Sequence, residues 1–341
     1  SNFVAGVNAG NSIASGGNQN VVVGDEAGTA ITTGDSNVAI GYEAGKAITT
    51  GTVNTFVGYA SGDATTTSGN NVGVGYASLT TNILSSKNVA IGNNALKTHN
   101  LASAAEGHNT AVGHGAGEEI TTGVNNTLIG GLAGDAITTG GSNTALGTSA
   151  LTSNTTASAN TAVGYQAAYS ITGSQYNTAV GYHASYSGTT GLGGNVAIGY
   201  KASYAQTTGN NNVTVGVNAG LANTTGSDSA AVGPHALKDN TTGYGNHAFG
   251  YASLYSNTTG ANNTGLGYGA LQNNTTASYN IAVGYQALLT NTTGAKNTAF
   301  GYTALRDCTV GTSNIGIGYE AGSNITDGDD NICIGYAAGS Y

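Results

Sequence analysis

Six histidines, His99, His108, His114, His183, His235 and His247, are the side chains best suited to hold a metal or shuttle a proton. None of them forms a His-x-His or HExxH spacing, so they read as solvated corner residues rather than ligands. Carboxylates crowd together in Asp327-Gly328-Asp329-Asp330, where a hard cation would find several oxygens. That run lacks the spacing and the closing Glu of an EF-hand loop and reads as an Asp-rich turn. Gly-x-Gly pairs such as Gly73-Val74-Gly75 and Gly316-Ile317-Gly318 read as corner glycines, not phosphate loops. Aromatic chemistry is more concentrated. Tyr165, Tyr169, Tyr182, Tyr186, Tyr200 and Tyr204 form two interleaved rows, a surface on which a glycan could pack. Catalysis needs unlike residues converging at one place. No such convergence occurs here, and no enzyme activity, metal or cofactor is expected.

Whatever these residues do, a strict period positions them. Asn recurs at 2, 20, 37, 54, 71, 88, 109, 126, 143, 160, 177, 195 and 212, then at 246, 263, 280, 297, 314 and 331, with Ser229 filling the one gap. Sixteen of the nineteen steps between these twenty copies are 17 residues; two are 18 and one is 21. The repeat predicts one continuous array over residues 1–341 with no room for a second domain. The chain starts in phase at Ser1-Asn2 and stops inside a repeat at Tyr341, so it is expected to be a segment of a longer fibre.

Counting from each Asn as position 0, position +1 is mostly Val, Thr or Ile, +2 is usually Ala, +3 is apolar and +4 is always Gly. Alternation closed by an obligatory Gly predicts a short strand running into a corner. Thr-Thr-Gly at +12 to +14 predicts a second short strand and a second corner. Two strands and two corners in 17 residues describe one rung of a narrow parallel β-solenoid, an all-β fold. Twenty rungs at ~4.8 Å would make a rod roughly 95 Å long. Helical repeats need about 33 residues or more and are excluded. By that spacing His183 and His235, both at +6, stand roughly 14 Å apart and cannot share a metal.

Seven copies pair Gly or Ala at +8 with Ile at +11, as in Gly45/Ile48 and Gly134/Ile137. Six reverse this with Leu at +8 and Asn at +11, as in Leu151/Asn154 and Leu254/Asn257. One large aliphatic group per rung, supplied from either side, implies that +8 and +11 face the same interior space. The strand is small or apolar on both faces, with Val, Thr or Ile on one and Ala and Gly on the other. A strand apolar on both faces is buried on both, so one face should look into the rung and the other toward neighbouring chains, most simply in a parallel homotrimer. Asn side chains at position 0 should bond from rung to rung as a ladder, and Tyr at +5, present in twelve copies, should stack ring on ring.

The composition narrows the partners. Seven Lys plus Arg against sixteen acids give a net charge of −9, which argues against nucleic acid. No apolar run approaches the roughly 20 residues that span a bilayer, so no membrane insertion is expected. Cys308 and Cys333 sit at different repeat positions, which argues against an intrachain disulfide.

Asn37-Val38-Ala39-Ile40-Gly41-Tyr42-Glu43-Ala44 and Asn195-Val196-Ala197-Ile198-Gly199-Tyr200-Lys201-Ala202 resemble the head repeats of trimeric autotransporter adhesins of the YadA type. The chain departs from that pattern by one residue missing after the Asn, by the 17-residue period, and by the added Tyr and Thr-Thr-Gly. In this longer form it is more similar to phage tail-fibre shafts. The resemblance covers the whole chain. It implies a rigid, extracellular, trimeric fibre on a virion or cell surface, serving host attachment through a surface receptor. The alternative it leaves open is a carbohydrate-binding adhesin module that uses the Tyr-rich face. Between Asn88 and Asn109 the period stretches to 21; the four extra residues, within 97–108, should bulge outward, with Asn109 resuming the next rung in phase.

Overall fold

The computed structural model describes residues 1–188 and 193–340. The chain divides into two compact units, Ser1–Gly173 and Ser174–Tyr341, and each is a parallel β-solenoid without helices among the described residues. Every copy places a three-residue strand at +1 to +3, for example Val38–Ile40, Thr55–Val57 and Thr298–Phe300. Within a unit each strand pairs in parallel with the same positions of the next copy. Val38 faces Thr55, Ala39 faces Phe56 and Ile40 faces Val57. Thr298, Ala299 and Phe300 likewise face Ile315, Gly316 and Ile317.

The invariant Gly at +4 follows from two constraints. Gly250 holds φ at +131°, and a Cβ there would lie 2.5 Å from the Gly267 carbonyl oxygen and 2.7 Å from its carbon. Only glycine lets stacked corners approach this closely. Three further positions per rung, +6, +8 and +16, are left-handed while carrying ordinary side chains, as in Glu43 (φ 56°), Leu79 (φ 53°) and Ser36 (φ 58°). Such residues are strained. Stacking over-determines them: the Leu79 amide donates to the Ala95 carbonyl of the next rung, and that of Ser36 to Asn18 of the preceding one.

The Thr-Thr-Gly segment is a bend rather than the second strand expected from its β-branched residues. Its carbonyls are shared: Thr49 O accepts both Thr32 N and Gly34 N, at 3.0 and 3.2 Å, so the chain turns instead of extending. A true two-residue strand pair forms at Ser85–Ser86 with Ala105–Glu106, beside the long rung.

Position +2 points inward. Ala39, Ala145, Ala248 and Ala299 are fully buried, and so is Phe56, whose ring sits where a Cβ on Gly73, one rung on, would lie only 2.9 Å away. Positions +8 and +11 share the interior as the sequence implies. A Cβ added at Gly45 would meet Ile48 Cδ1 at 2.7 Å, and one at Gly134 would meet Ile137 Cδ1 at 2.7 Å.

Two polar ladders run through this apolar interior. At position 0, Asn37 takes both its amide N–H (2.9 Å) and its Nδ2 (3.1 Å) to Asn20 Oδ1, while Nδ2 also reaches Gly51 O at 2.9 Å. Asn54 repeats this on Asn37, which leaves few lone pairs of these buried amides unused. A second ladder forms at +11, where Asn240, Asn257, Asn274 and Asn291 each donate Nδ2 to the preceding Asn Oδ1 at 2.8–2.9 Å. It ends because Cys308 occupies the next +11 site, leaving the buried Asn291 Oδ1 without a partner. Cys308 and Cys333 are both free thiols.

The structure corrects one reading of the histidines. His99 is fully buried at +11, where it takes the place of Ile or Asn, with Nε2 2.9 Å from Ser85 Oγ. Burial lowers its pKa from 6.5 to about 4. The unfolded chain therefore takes up this proton near pH 6.5 and the folded chain only near pH 4. Stability contributed by neutral His99 is complete above pH 6.5, declines as pH falls, and is gone below about pH 4. Across that window the loss is about 3 kcal/mol. Urea melts at pH 7 and pH 4.5 should show most of this loss in the native chain and not in His99→Asn.

Candidate interaction surfaces

Because +2 faces inward, +1 and +3 face out, and the +3 side chains form an apolar stripe on the outer side of the strand column. In the first unit it carries Ile40, Ile91, Ile129 and Leu146; in the second, Ile198, Phe249, Leu266, Phe300 and Ile317. Their exposure runs from 37% at Ile40 to 57% at Phe300. A parallel sheet normally has both faces covered, so this stripe stands out as a surface that lacks a cover within the chain.

Beside it runs the tyrosine ladder at +5. Tyr251, Tyr268, Tyr285, Tyr302, Tyr319 and Tyr336 stack with ring centroids 5.0–5.3 Å apart and planes within 15°. Tyr42, Tyr59 and Tyr76 stack likewise at 5.2 Å, with planes within 22°. Each inner ring therefore gives its faces to its neighbours, while nearly half of its surface remains open. The rung spacing alone sets this geometry, since one ring per rung recurs at the distance at which aromatic faces meet.

The six tyrosines singled out as a glycan surface divide between the units. Tyr165 is exposed and Tyr169 half-buried in the first. In the second, Tyr182 stacks on Tyr200 at 5.5 Å and Tyr186 on Tyr204 at 5.1 Å. His183 lies between these two rows, 4.0 Å from Tyr182 and 4.9 Å from Tyr186. Lys201 Nζ stands 5.4 Å from both the Tyr200 and Tyr204 rings, within cation–π range. Burial lowers the His183 pKa, and the Lys201 charge adds to the effect, which favours a neutral imidazole among these rings.

Several charged groups elsewhere find partners close by, whereas burial raises the pKa of Asp63 and Asp135. Lys46 Nζ meets Glu43 Oε1 at 2.7 Å and Arg306 Nη2 meets Asp307 Oδ2 at 2.7 Å. In the acidic turn, Asp329 Oδ1 accepts Thr312 N and Oγ1 at 2.6 and 2.9 Å, and Asp327 Oδ1 accepts Thr326 Oγ1. Those contacts tie the turn to its own chain. No group of three or more metal-ligating side chains occurs among the described residues.

The long rung breaks the pattern outward, as the register argument requires. Residues 102–106 are exposed, while Asn109 is buried and Thr110–Val112 pair in register with Val89–Ile91. The bulge walls a groove of about 280 Å³ against the two preceding rungs, lined in part by Thr67, Asn70, Leu84, Lys87, Ala104 and Glu106. The period located the insertion; the groove was not visible in the sequence, because it depends on three copies meeting at one corner.

No protein-family model matches the chain, and no curated protein is significantly similar to it. Among the described residues, no helix is long and apolar enough to cross a membrane.

Proposed function

We propose that the chain is the structural shaft of an extracellular trimeric fibre that serves attachment to a surface, as in a phage tail fibre or similar adhesin. The apolar stripe at +3 carries this reading. A lone solenoid gains nothing from lining up Ile40, Ile91 and Ile129 on an outer face of one unit, or Phe300 and Ile317 on an outer face of the other, whereas copies packed in parallel bury them. Identical copies also match each other rung by rung, because the spacing that sets one stripe sets the next. Within each chain the stacked backbone and Asn ladders supply the stiffness a shaft needs. The partners on this reading are two further copies of the chain and a surface receptor.

A charge in the stripe tests the packing. The double variant Phe300→Asp, Ile317→Asp exposes its new carboxylates freely in the single chain but would bury them unpaired in an assembly, at a cost of several kcal/mol. Its mass in solution should fall to that of one chain, with the β-rich circular dichroism spectrum kept. An undiminished assembly in this variant would show that the stripe is not the interface.

A second reading, contact with a glycan through the Tyr-rich face, draws on the Tyr182/Tyr200 and Tyr186/Tyr204 stacks. It predicts that Tyr186→Ala with Tyr204→Ala weakens glycan adhesion and leaves assembly intact.

A further inference from the structure

The repeat gives every rung nearly the same surface, and the groove beside the long rung is a departure from it that encloses space. Three successive copies build it. Thr67 and Asn70 come from the first, Leu84, Ser86 and Lys87 from the second, and Ala104, Ala105 and Glu106 from the bulge of the third. The extra strand pair of Ser85–Ser86 with Ala105–Glu106 fixes the far wall to the shaft by backbone bonds, and Gly107 N adds a bond to Ser86 O at 2.8 Å. The wall is therefore a built element, not a loop tip.

The lining alternates donors and acceptors. Lys87 Nζ bonds Glu106 Oε1, and Glu106 Oε2 meets His108 Nε2 at 2.8 Å. This places an ammonium and a carboxylate side by side at the rim. The ammonium holds the Glu106 carboxyl below the usual carboxylate range. Ser86 Oγ accepts Gly69 N at 3.1 Å and keeps its own proton to donate. Thr67 and Asn70 add a hydroxyl and a primary amide, and Leu84 with Ala104 and Ala105 forms a small apolar wall.

We propose that this groove binds a neutral saccharide of one or two pyranose rings. Paired hydroxyls on a sugar act at once as donors and acceptors, which suits a rim that presents ammonium, carboxylate, amide and hydroxyl groups together. The sugar's C–H face has the Leu84 wall to lie on. A lone anion would meet Glu106 and a chain of net charge −9, and a lone cation would meet Lys87. An apolar ligand would strip water from the polar rim and return no hydrogen bond. The volume of about 280 Å³ falls just below the usual range of small-ligand sites, about 300–1,000 Å³, and is too small for an extended peptide.

The inference deepens the attachment reading by naming a receptor chemistry, but the groove lies wholly within one chain, so the two can fail separately. The test is saturation-transfer NMR and calorimetry on the full chain. The probes are methyl glycosides of glucose, galactose, mannose and N-acetylglucosamine, their linear disaccharides, and sialyllactose. At least one neutral probe should bind. Glu106→Gln should weaken that binding about tenfold, as expected for one lost charged hydrogen bond, and deletion of Leu101–Ala104 should abolish it. Arg306→Gln, which alters the ion pair with Asp307 in the second unit, should leave it unchanged. Three results would overturn the proposal: no probe bound, binding that survives both Glu106→Gln and the deletion, or preference for sialyllactose. If the deletion variant fails to fold, as its melting curve would reveal, Glu106→Gln decides alone. Absent sugar binding in a chain that still assembles would remove this site and leave the shaft standing.

Discussion

Gly250→Ala is expected to be among the most damaging single-methyl additions to this chain, at about 3–5 kcal/mol. Two penalties combine. The residue sits at φ +131°, a region that L side chains rarely adopt, which costs on the order of 1–3 kcal/mol. Its new Cβ would also collide with backbone, the Gly267 carbonyl, and backbone cannot rotate aside as a side-chain tip can. Relief requires parting two rungs whose strands pair through His247–Phe249 and Thr264–Leu266. A control isolates the cause. Gly131→Ala lies at +5, where a Cβ meets nothing within 4 Å, and should leave the melting temperature within a degree or two. Equal melting of the two variants would mean that rung stacking at +4 does not limit stability.

The second large effect comes from the shared space at +8 and +11. Leu151 is fully buried and left-handed (φ 55°), between a preceding rung built on Gly134/Ile137 and a following one on Ala168/Ile171. Leu151→Gly opens a cavity and should cost about 2–5 kcal/mol, somewhat reduced because glycine relaxes the left-handed strain. Adding Asn154→Ile rebuilds the Gly/Ile arrangement of the neighbouring rungs and should recover most of the loss. The same double swap at Leu254 and Asn257 should recover less. There Asn257 belongs to the +11 ladder, giving Nδ2 to Asn240 and accepting from Asn274, each at 2.8 Å, and Ile would strand both partners in the core. Chemical denaturation of the four variants separates the terms. If Asn154→Ile restores nothing, +8 and +11 do not exchange volume.

Much of this architecture was legible because repetition turns one chain into twenty comparisons. The Gly at +4, the Asn ladder at 0 and the +8/+11 exchange each depend on one residue type recurring at one position, which the period exposes directly. What escaped was conformation without a residue-type signature. Leu79, Glu43 and Val53 are left-handed with no glycine to announce it, because inter-rung hydrogen bonds rather than local propensity hold them there. The Thr-Thr-Gly segment has strand-like residues yet bends, since the carbonyl of its first Thr takes two backbone donors, as Thr49 O does. Residue type alone groups His99 with solvated corner histidines. Its offset of eleven from Asn88 places it in the core, and counting the phase through the long rung would have found it. The groove at Lys87 and Glu106 needed three rungs in space, which no one-dimensional reading supplies. The outward direction of +1 and +3 settled which strand face is left open, a choice the sequence had narrowed to two.

The mass of the intact chain in solution, by light scattering on a sizing column, tests the central claim most directly. A trimer gives an assembly of about 100 kDa, three times the 33.3 kDa chain, at micromolar concentration and in moderate salt. A well-folded species at 33.3 kDa, with Ile40 and Phe300 open to water, would contradict it.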